Sequence, residues 1–142
     1  MPSSQEPDLT TPPELAPILR ELIDREPIFH RAEFGTTRAD FERMTREDFW
    51  ETGASGCRYS RAFVLDELER RFSAESGNGP PVDIWETSDF CCRELAQQLY
   101  LLTYTLVQKQ SNHQPRTTRR ATIWQRTAQD WKIVYHQGTM ME

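Results

Sequence analysis

The sequence predicts an α+β domain in which helices come first and antiparallel strands follow. Two observations carry this expectation. The first half repeats its apolar residues at helical spacing, and the last third is built of long β-branched and aromatic runs joined by short connections. Helices that precede such a sheet cover one of its faces. The 142 residues suit a single domain, expected over 14–142, behind a disordered tail over 1–13 that is rich in Pro, Ser and Thr. That tail lacks the basic stretch and apolar core of a secretion signal.

Each element has its own signal. Leu15, Ile18, Leu19, Leu22 and Ile23 form one face of an amphipathic helix, with Pro17 tolerated in its first turn. Pro27 disfavours helical geometry at Glu26 and predicts a break, after which Ile28, Phe29 and His30 add a further turn. Thr36-Thr37 offers an N-cap for a short helix over 38–45, with Phe41 and Met44 inward. Phe49-Trp50-Glu51-Thr52 reads as a strand, Gly53-Ala54-Ser55-Gly56 as a turn and Cys57-Arg58-Tyr59 as a return strand. Ser60 caps a helix reaching 72, whose buried stripe is Val64, Leu65, Leu68 and Phe72. Asp66–Arg70 and Glu67–Arg71 stand at ion-pair spacing on its wet side. A Gly/Pro linker over 76–81 precedes strands over 82–95, 99–108, 117–126 and 131–137.

The last hairpin sets the faces. If Arg126 opposes Trp131, then Trp124 pairs with Ile133 and Thr122 with Tyr135. Gln137 then shares a face with Trp131, Ile133 and Tyr135, and His136 with Ile123 and Val134, because side chains alternate along a strand. Both faces are apolar, so the pattern does not decide which is concave.

Composition excludes some functions. Lys and Arg number 17 against 22 acids, a net charge of −5, which argues against a nucleic-acid-binding face. No apolar run approaches the roughly 18 residues of a spanning helix. Cys57, Cys91 and Cys92 form neither a disulfide framework nor a zinc spacing, and point to a reducing cytoplasm. The stretch 109–126 carries Lys109, Arg116, Arg119, Arg120 and Arg126 without an acid; attraction of an anionic ligand is one reading, and a charged strand edge that blocks aggregation is the favoured one.

Two motifs carry a resemblance. Asp48-Phe49-Trp50-Glu51-Thr52-Gly53-Ala54-Ser55-Gly56 followed by Tyr59-Ser60-Arg61, and Ile123-Trp124-Gln125-Arg126 followed by 130–139 with its His136-Gln137-Gly138-Thr139 close, are similar to the family called domain of unknown function 4440. Glu26-Pro27-Ile28-Phe29-His30-Arg31 resembles the same family. The likeness implies the nuclear-transport-factor-two-like, or cystatin-like, cone: a strongly curved antiparallel sheet wrapped around the N-terminal helices, with a pocket in its mouth. It also implies a homodimer formed through the outer sheet face. Relatives of that fold include isomerases, dehydratases and cyclases as well as modules without chemistry, so the fold alone assigns no function.

The candidate residues follow from the cone. His30, with Glu26 and Glu33 nearby in sequence, is a candidate base whose tautomer a carboxylate would hold. Glu51 is a candidate acid or base if it points inward, where desolvation raises its pKa. Trp50, Tyr59, Trp85, Tyr104 and Trp124 are expected to line the pocket with His136 or Gln137. The leading expectation is the binding of an apolar or amphipathic small molecule. The alternatives are an isomerase, dehydratase or cyclase moving protons without a cofactor, and a dimerisation module. No metal site is expected, since His30 and Glu33 supply only two ligands.

Overall fold

The break at Pro27 decides how the chain enters the fold. The computed structural model describes residues 5–72, 84–109, 114–128 and 130–141, so the expected linker and the first four tail residues lie outside it. A one-turn 3-10 segment, Pro13–Leu15, leads into helix α1, Ala16–Ile23, which buries Ile18 and Leu22. Ahead of it, Thr11 Oγ1 accepts a hydrogen bond from the Cys92 N–H at 3.0 Å. After α1 the expected helical turn does not form. Phe29 has φ 65°, and the His30 N–H reaches back only to the Pro27 carbonyl. Glu26 and His30 therefore do not stack one turn apart, because proline steers the residue before it out of helical geometry.

Helix α2, Arg38–Met44, opens on a capping box in which Thr37 and Asp40 each accept the other's backbone N–H. These bonds from Thr37 hold the Asp40 carboxyl down at about 2. Gly35 has φ 116°, and a Cβ there would run into the Asp40 carboxyl, so the cap needs a glycine before it. Strand β1, Thr45–Thr52, follows directly and is longer than expected. Strand β2, Arg58–Ser60, returns along it, and Ser60 Oγ accepts the Phe63 N–H to start helix α3, Arg61–Phe72. The ion pairs of α3 differ from their expected spacing. Asp66 pairs with Arg38 of α2 at 2.6 Å, and Arg70 pairs with Glu67 at 2.8 Å. The packing of α2 on α3 offers Asp66 a partner outside its own helix.

The remaining strands are β3 Ile84–Ala96, β4 Leu99–Lys109, β5 Arg116–Arg126 and β6 Trp131–Met140. The sheet order is β2-β1-β6-β5-β4-β3. The last four strands form the expected antiparallel meander, while β1 lies parallel to β6. Some eighty residues separate those two strands, so no tight turn forces them antiparallel. Inside the curved sheet, α1 and α3 bury Leu22, Val64, Leu65 and Leu68 against Leu102, Leu106, Trp124 and Ile133.

One residue in β6 overturns the expected faces. Arg126 opposes Trp131 and Trp124 opposes Ile133, but Tyr135 pairs with Ile123 and His136 with Thr122. Val134 is the extra residue of a bulge, and an insertion of one flips every later side chain. His136, 3% exposed, thus joins Trp131 and Ile133 on the concave face, and Gln137 faces out.

The helical unit and the sheet meet at Glu26, which is fully buried. Its Oε1 accepts from the Tyr104 hydroxyl at 2.7 Å and the Ile28 N–H at 3.1 Å, and its Oε2 accepts from Trp124 Nε1 at 3.0 Å. Tyr104→Phe removes one donor and is expected to cost about 1.5–3 kcal/mol in urea unfolding. Glu26→Ala strands Tyr104 and Trp124 together and is expected to cost about 3 kcal/mol or more.

Candidate functional site

A cavity of about 300 Å³ opens at the mouth of the cone. The segment after α1 gives it Ile28, Phe29 and His30, and α3 gives Phe63, Val64, Leu68, Glu67 and Arg71. The sheet contributes Glu51 from β1, Tyr59 from β2, Arg120 from β5 and His136 from β6. The apolar side chains thus come from the segment after α1 and from α3, which also bring His30, Glu67 and Arg71, and the strands bring Glu51, Tyr59, Arg120 and His136. Glu51 and His136 are register partners across the β1–β6 pairing, which explains their approach from opposite ends of the sequence.

A larger hollow of about 640 Å³ lies outside the cone between residues 7–15 and strands β3 and β4. Its charged groups, Asp8, Glu14, Arg93 and Glu94, are all exposed, and burial pushes the one buried thiol in its lining, Cys92, up to about 11, so it holds no ionised group in a desolvated setting.

The strand residues have a defined electrostatic order. Burial pushes His136 down to about 3, and the positive charges of Arg120 and His30 add to the effect, so the imidazole is neutral at physiological pH. Its tautomer follows from its neighbours. Arg120 Nη1 lies 3.4 Å from His136 Nε2, and a guanidinium only donates, so Nε2 is the acceptor. The proton therefore sits on Nδ1 and is donated to Thr122 Oγ1 at 2.7 Å. Thr122 also favours the charged form of the neighbouring Glu26. Burial also raises the Glu51 carboxyl, opposed by the charges of Arg120 and then Arg71.

Of the sequence-predicted residues, the cavity brings together His30, Glu51, Tyr59 and His136. The others lie elsewhere. Tyr104 and Trp124 are core residues spent on Glu26, and the Trp85 ring lies under the Arg31 guanidinium at 4.7 Å. Trp50 is on the outer face, 44% exposed and 4.6 Å from the Tyr135 ring. Gln137 is beside it, accepting from the Tyr135 hydroxyl at 2.8 Å. Trp50 and Gln137 miss the cavity because each neighbours, in an alternating strand, a residue that enters it. Arg71 and Thr122 were not singled out by sequence, and Arg120 was noted only within the basic run over 109–126. Counting back from Trp124 by twos puts Thr122, Arg120 and Thr118 on the inner face of β5, a signal that the run of basic residues obscured. Among the described residues no three His, Cys, Asp or Glu side chains gather as metal ligands.

No protein-family model and no curated protein matches this sequence. Solved structures do. An NTF2-like protein from Cytophaga hutchinsonii is 15% identical with a TM-score of 0.63, over 86% of this chain and 97% of that one. An NTF2-like protein of unknown function from Pseudomonas aeruginosa is 12% identical with a TM-score of 0.65, over 87% and 98%. An uncharacterized protein with a cystatin-like fold from Caulobacter vibrioides is 13% identical with a TM-score of 0.63, over 91% of both chains. The chain has the NTF2-like cone fold. At these identities the likeness concerns fold, and the NTF2-like cone leaves function to the site itself.

Two measurements check the electrostatics. In 15N NMR, His136 is expected to remain neutral from pH 8 to pH 5 with its proton on Nδ1, whereas an ordinary histidine titrates near 6.5. The sign for stability follows: the unfolded chain takes up this proton below about pH 6.5 and the folded one does not, so acid favours unfolding. Buried Glu26 works in the opposite direction, so the contribution must be isolated by difference. The stability of wild type relative to His136→Asn is expected to fall by about 1.4 kcal/mol per pH unit between pH 6 and pH 4.

Proposed function

We propose that this chain binds a small amphipathic molecule in the cavity at the cone mouth. The carrying observation is that one cavity gathers the apolar side chains of Ile28, Phe29, Val64 and Leu68 with the polar ones of Glu51, Arg120 and His136. Ligand sites commonly combine apolar lining with a few convergent polar groups, and about 300 Å³ is the small end of their range. The two sequence motifs support a finer placement in the domain of unknown function 4440 family. The three free cysteines support a cytoplasmic setting. Among the described residues no helix is long and apolar enough to cross a membrane.

A second reading is supported by Glu51. A carboxyl raised by burial beside a cation is suited to proton transfer, and such chemistry needs no cofactor. We also propose that a second copy covers the outer sheet face. There Trp50 is exposed and Thr52 hydrogen-bonds the Tyr135 hydroxyl at 2.7 Å, an aromatic and polar mixture typical of interfaces. Native mass spectrometry is expected to give a dimer that Trp50→Glu separates into monomers.

The binding reading is tested by titrating benzyl alcohol into 15N-labelled protein. Shifts are expected to concentrate at Phe29, Glu51, Val64 and His136, and Val64→Trp, which fills the cavity, should abolish them. Shifts confined to the outer sheet face would sink the reading. The enzymatic reading predicts deuterium exchange at the carbon next to a small ketone's carbonyl in D2O, lost in Glu51→Gln without a change in melting temperature.

A further inference from the structure

We propose that Arg120 is the receptor for the carboxylate of a small acid with an apolar body. The inference rests on the cavity-binding reading and narrows its ligand class from amphipathic molecules to monocarboxylates.

The argument begins with what holds Arg120. Its Nε donates to Thr118 Oγ1 at 3.0 Å, and its Nη1 points at His136 Nε2 at 3.4 Å. Both partners are uncharged, the imidazole because burial and the neighbouring cations keep it so. Among the described residues no carboxylate approaches the guanidinium within 4.0 Å, in contrast to Arg25, Arg38, Arg43 and Arg119, each of which has one. Thr118 is fully buried and His136 is 3% exposed, so the partners that aim Arg120 are fixed in the core. The guanidinium is therefore positioned but not neutralised, and its remaining donors border the cavity. A guanidinium presents paired N–H groups that match a carboxylate's two oxygens.

Other groups in the cavity agree on the sign. Arg71 adds a second positive charge to the lining. Glu67, the nearest acid on α3, is already engaged by Arg70 at 2.8 Å. Glu51 is the one lining carboxyl whose charge interacts with Arg120, and burial disfavours its anionic form. An incoming carboxylate competes with Glu51 for Arg120, and the burial of Glu51 weakens that competitor. Across the cavity, Ile28, Phe29, Val64 and Leu68 offer no hydrogen-bonding side chain, so the rest of the ligand is apolar. One guanidinium at the seat and a volume of about 300 Å³ fit a monocarboxylate of the size of a single ring or a short chain.

The test compares benzoate, benzyl alcohol and benzylamine, which share a ring and differ in the head group, by 15N NMR titration at pH 7. Benzoate is expected to bind at least tenfold more tightly than the other two and to shift the Arg120 Nε and His136 signals. Arg120→Met should weaken benzoate at least tenfold and leave benzyl alcohol within twofold. Glu51→Gln, which removes the competing charge, should tighten benzoate. If Arg120→Met does not fold, the three-ligand comparison on wild type and the Glu51→Gln shift decide the matter alone. Benzyl alcohol bound in the cavity with benzoate no tighter overturns the inference and leaves the binding reading standing. No probe perturbing the cavity overturns both.

Discussion

The buried carboxylate of Glu26 is the constraint on which the rest of the cone depends. A lone carboxyl in an apolar core is costly, and burial raises its pKa accordingly. Donors on three separate segments offset that cost: Tyr104 on β4, Trp124 on β5 and the backbone of Ile28. Each of those donors is itself buried and would be costly if left unpaired. The geometry that satisfies all of them fixes where the chain leaving α1 stands against the sheet. It thereby places the next three residues, Ile28, Phe29 and His30, at the cavity. Hydrophobic packing of α1 alone tolerates sliding along the sheet, whereas directional hydrogen bonds do not.

The same carboxylate reaches the site through β5. Thr118, Arg120, Thr122 and Trp124 occupy alternate positions on one strand and so share the concave face. Trp124 hydrogen-bonds Glu26 at the deep end, Thr122 beside it engages His136, and His136 engages Arg120 at the mouth. A row of side chains thus runs from the core to the cavity, and the donor role of Arg120 at its mouth sets the tautomer of His136 and with it the acceptor role of Thr122. The polar strand side of the cavity is the outer end of a structural network.

How much of this was legible in the sequence depended on the kind of signal. The three helices, their caps and the four long strands follow local rules of periodicity and capping, and Thr37, Ser60 and the stripe of α3 stand where those rules put them. Glu51 and Tyr59 were accessible because a short strand pair exposes one residue in two. The bulge at Val134 was not accessible, since nothing in a run of apolar residues tells one extra residue from regular alternation. That single residue decides between His136 and Gln137. Trp124 and Tyr104 misled for a different reason: an aromatic that lines a pocket and an aromatic that completes a buried hydrogen bond look alike in sequence. Glu26 stood out only as a neighbour of His30, because its real partners are about 80 and 100 residues away.

The bulge and the buried acid together account for why a cation can sit at this mouth without a counter-ion. Had β6 continued in regular alternation, Tyr135 would oppose Thr122 and Gln137 would oppose Arg120, and a side-chain amide can turn either its donor or its acceptor toward a neighbour. The histidine cannot do so here. Arg120 requires a lone pair on Nε2, and Thr122 Oγ1 accepts the proton that this leaves on Nδ1. Protonating the ring would set two donors against each other across 3.4 Å and add a second buried charge, which is the physical content of its lowered pKa. A neutral imidazole thus aims the guanidinium and leaves its charge unspent. Among the described residues every buried side-chain nitrogen and oxygen is partnered within the fold, and that charge is directed at the cavity.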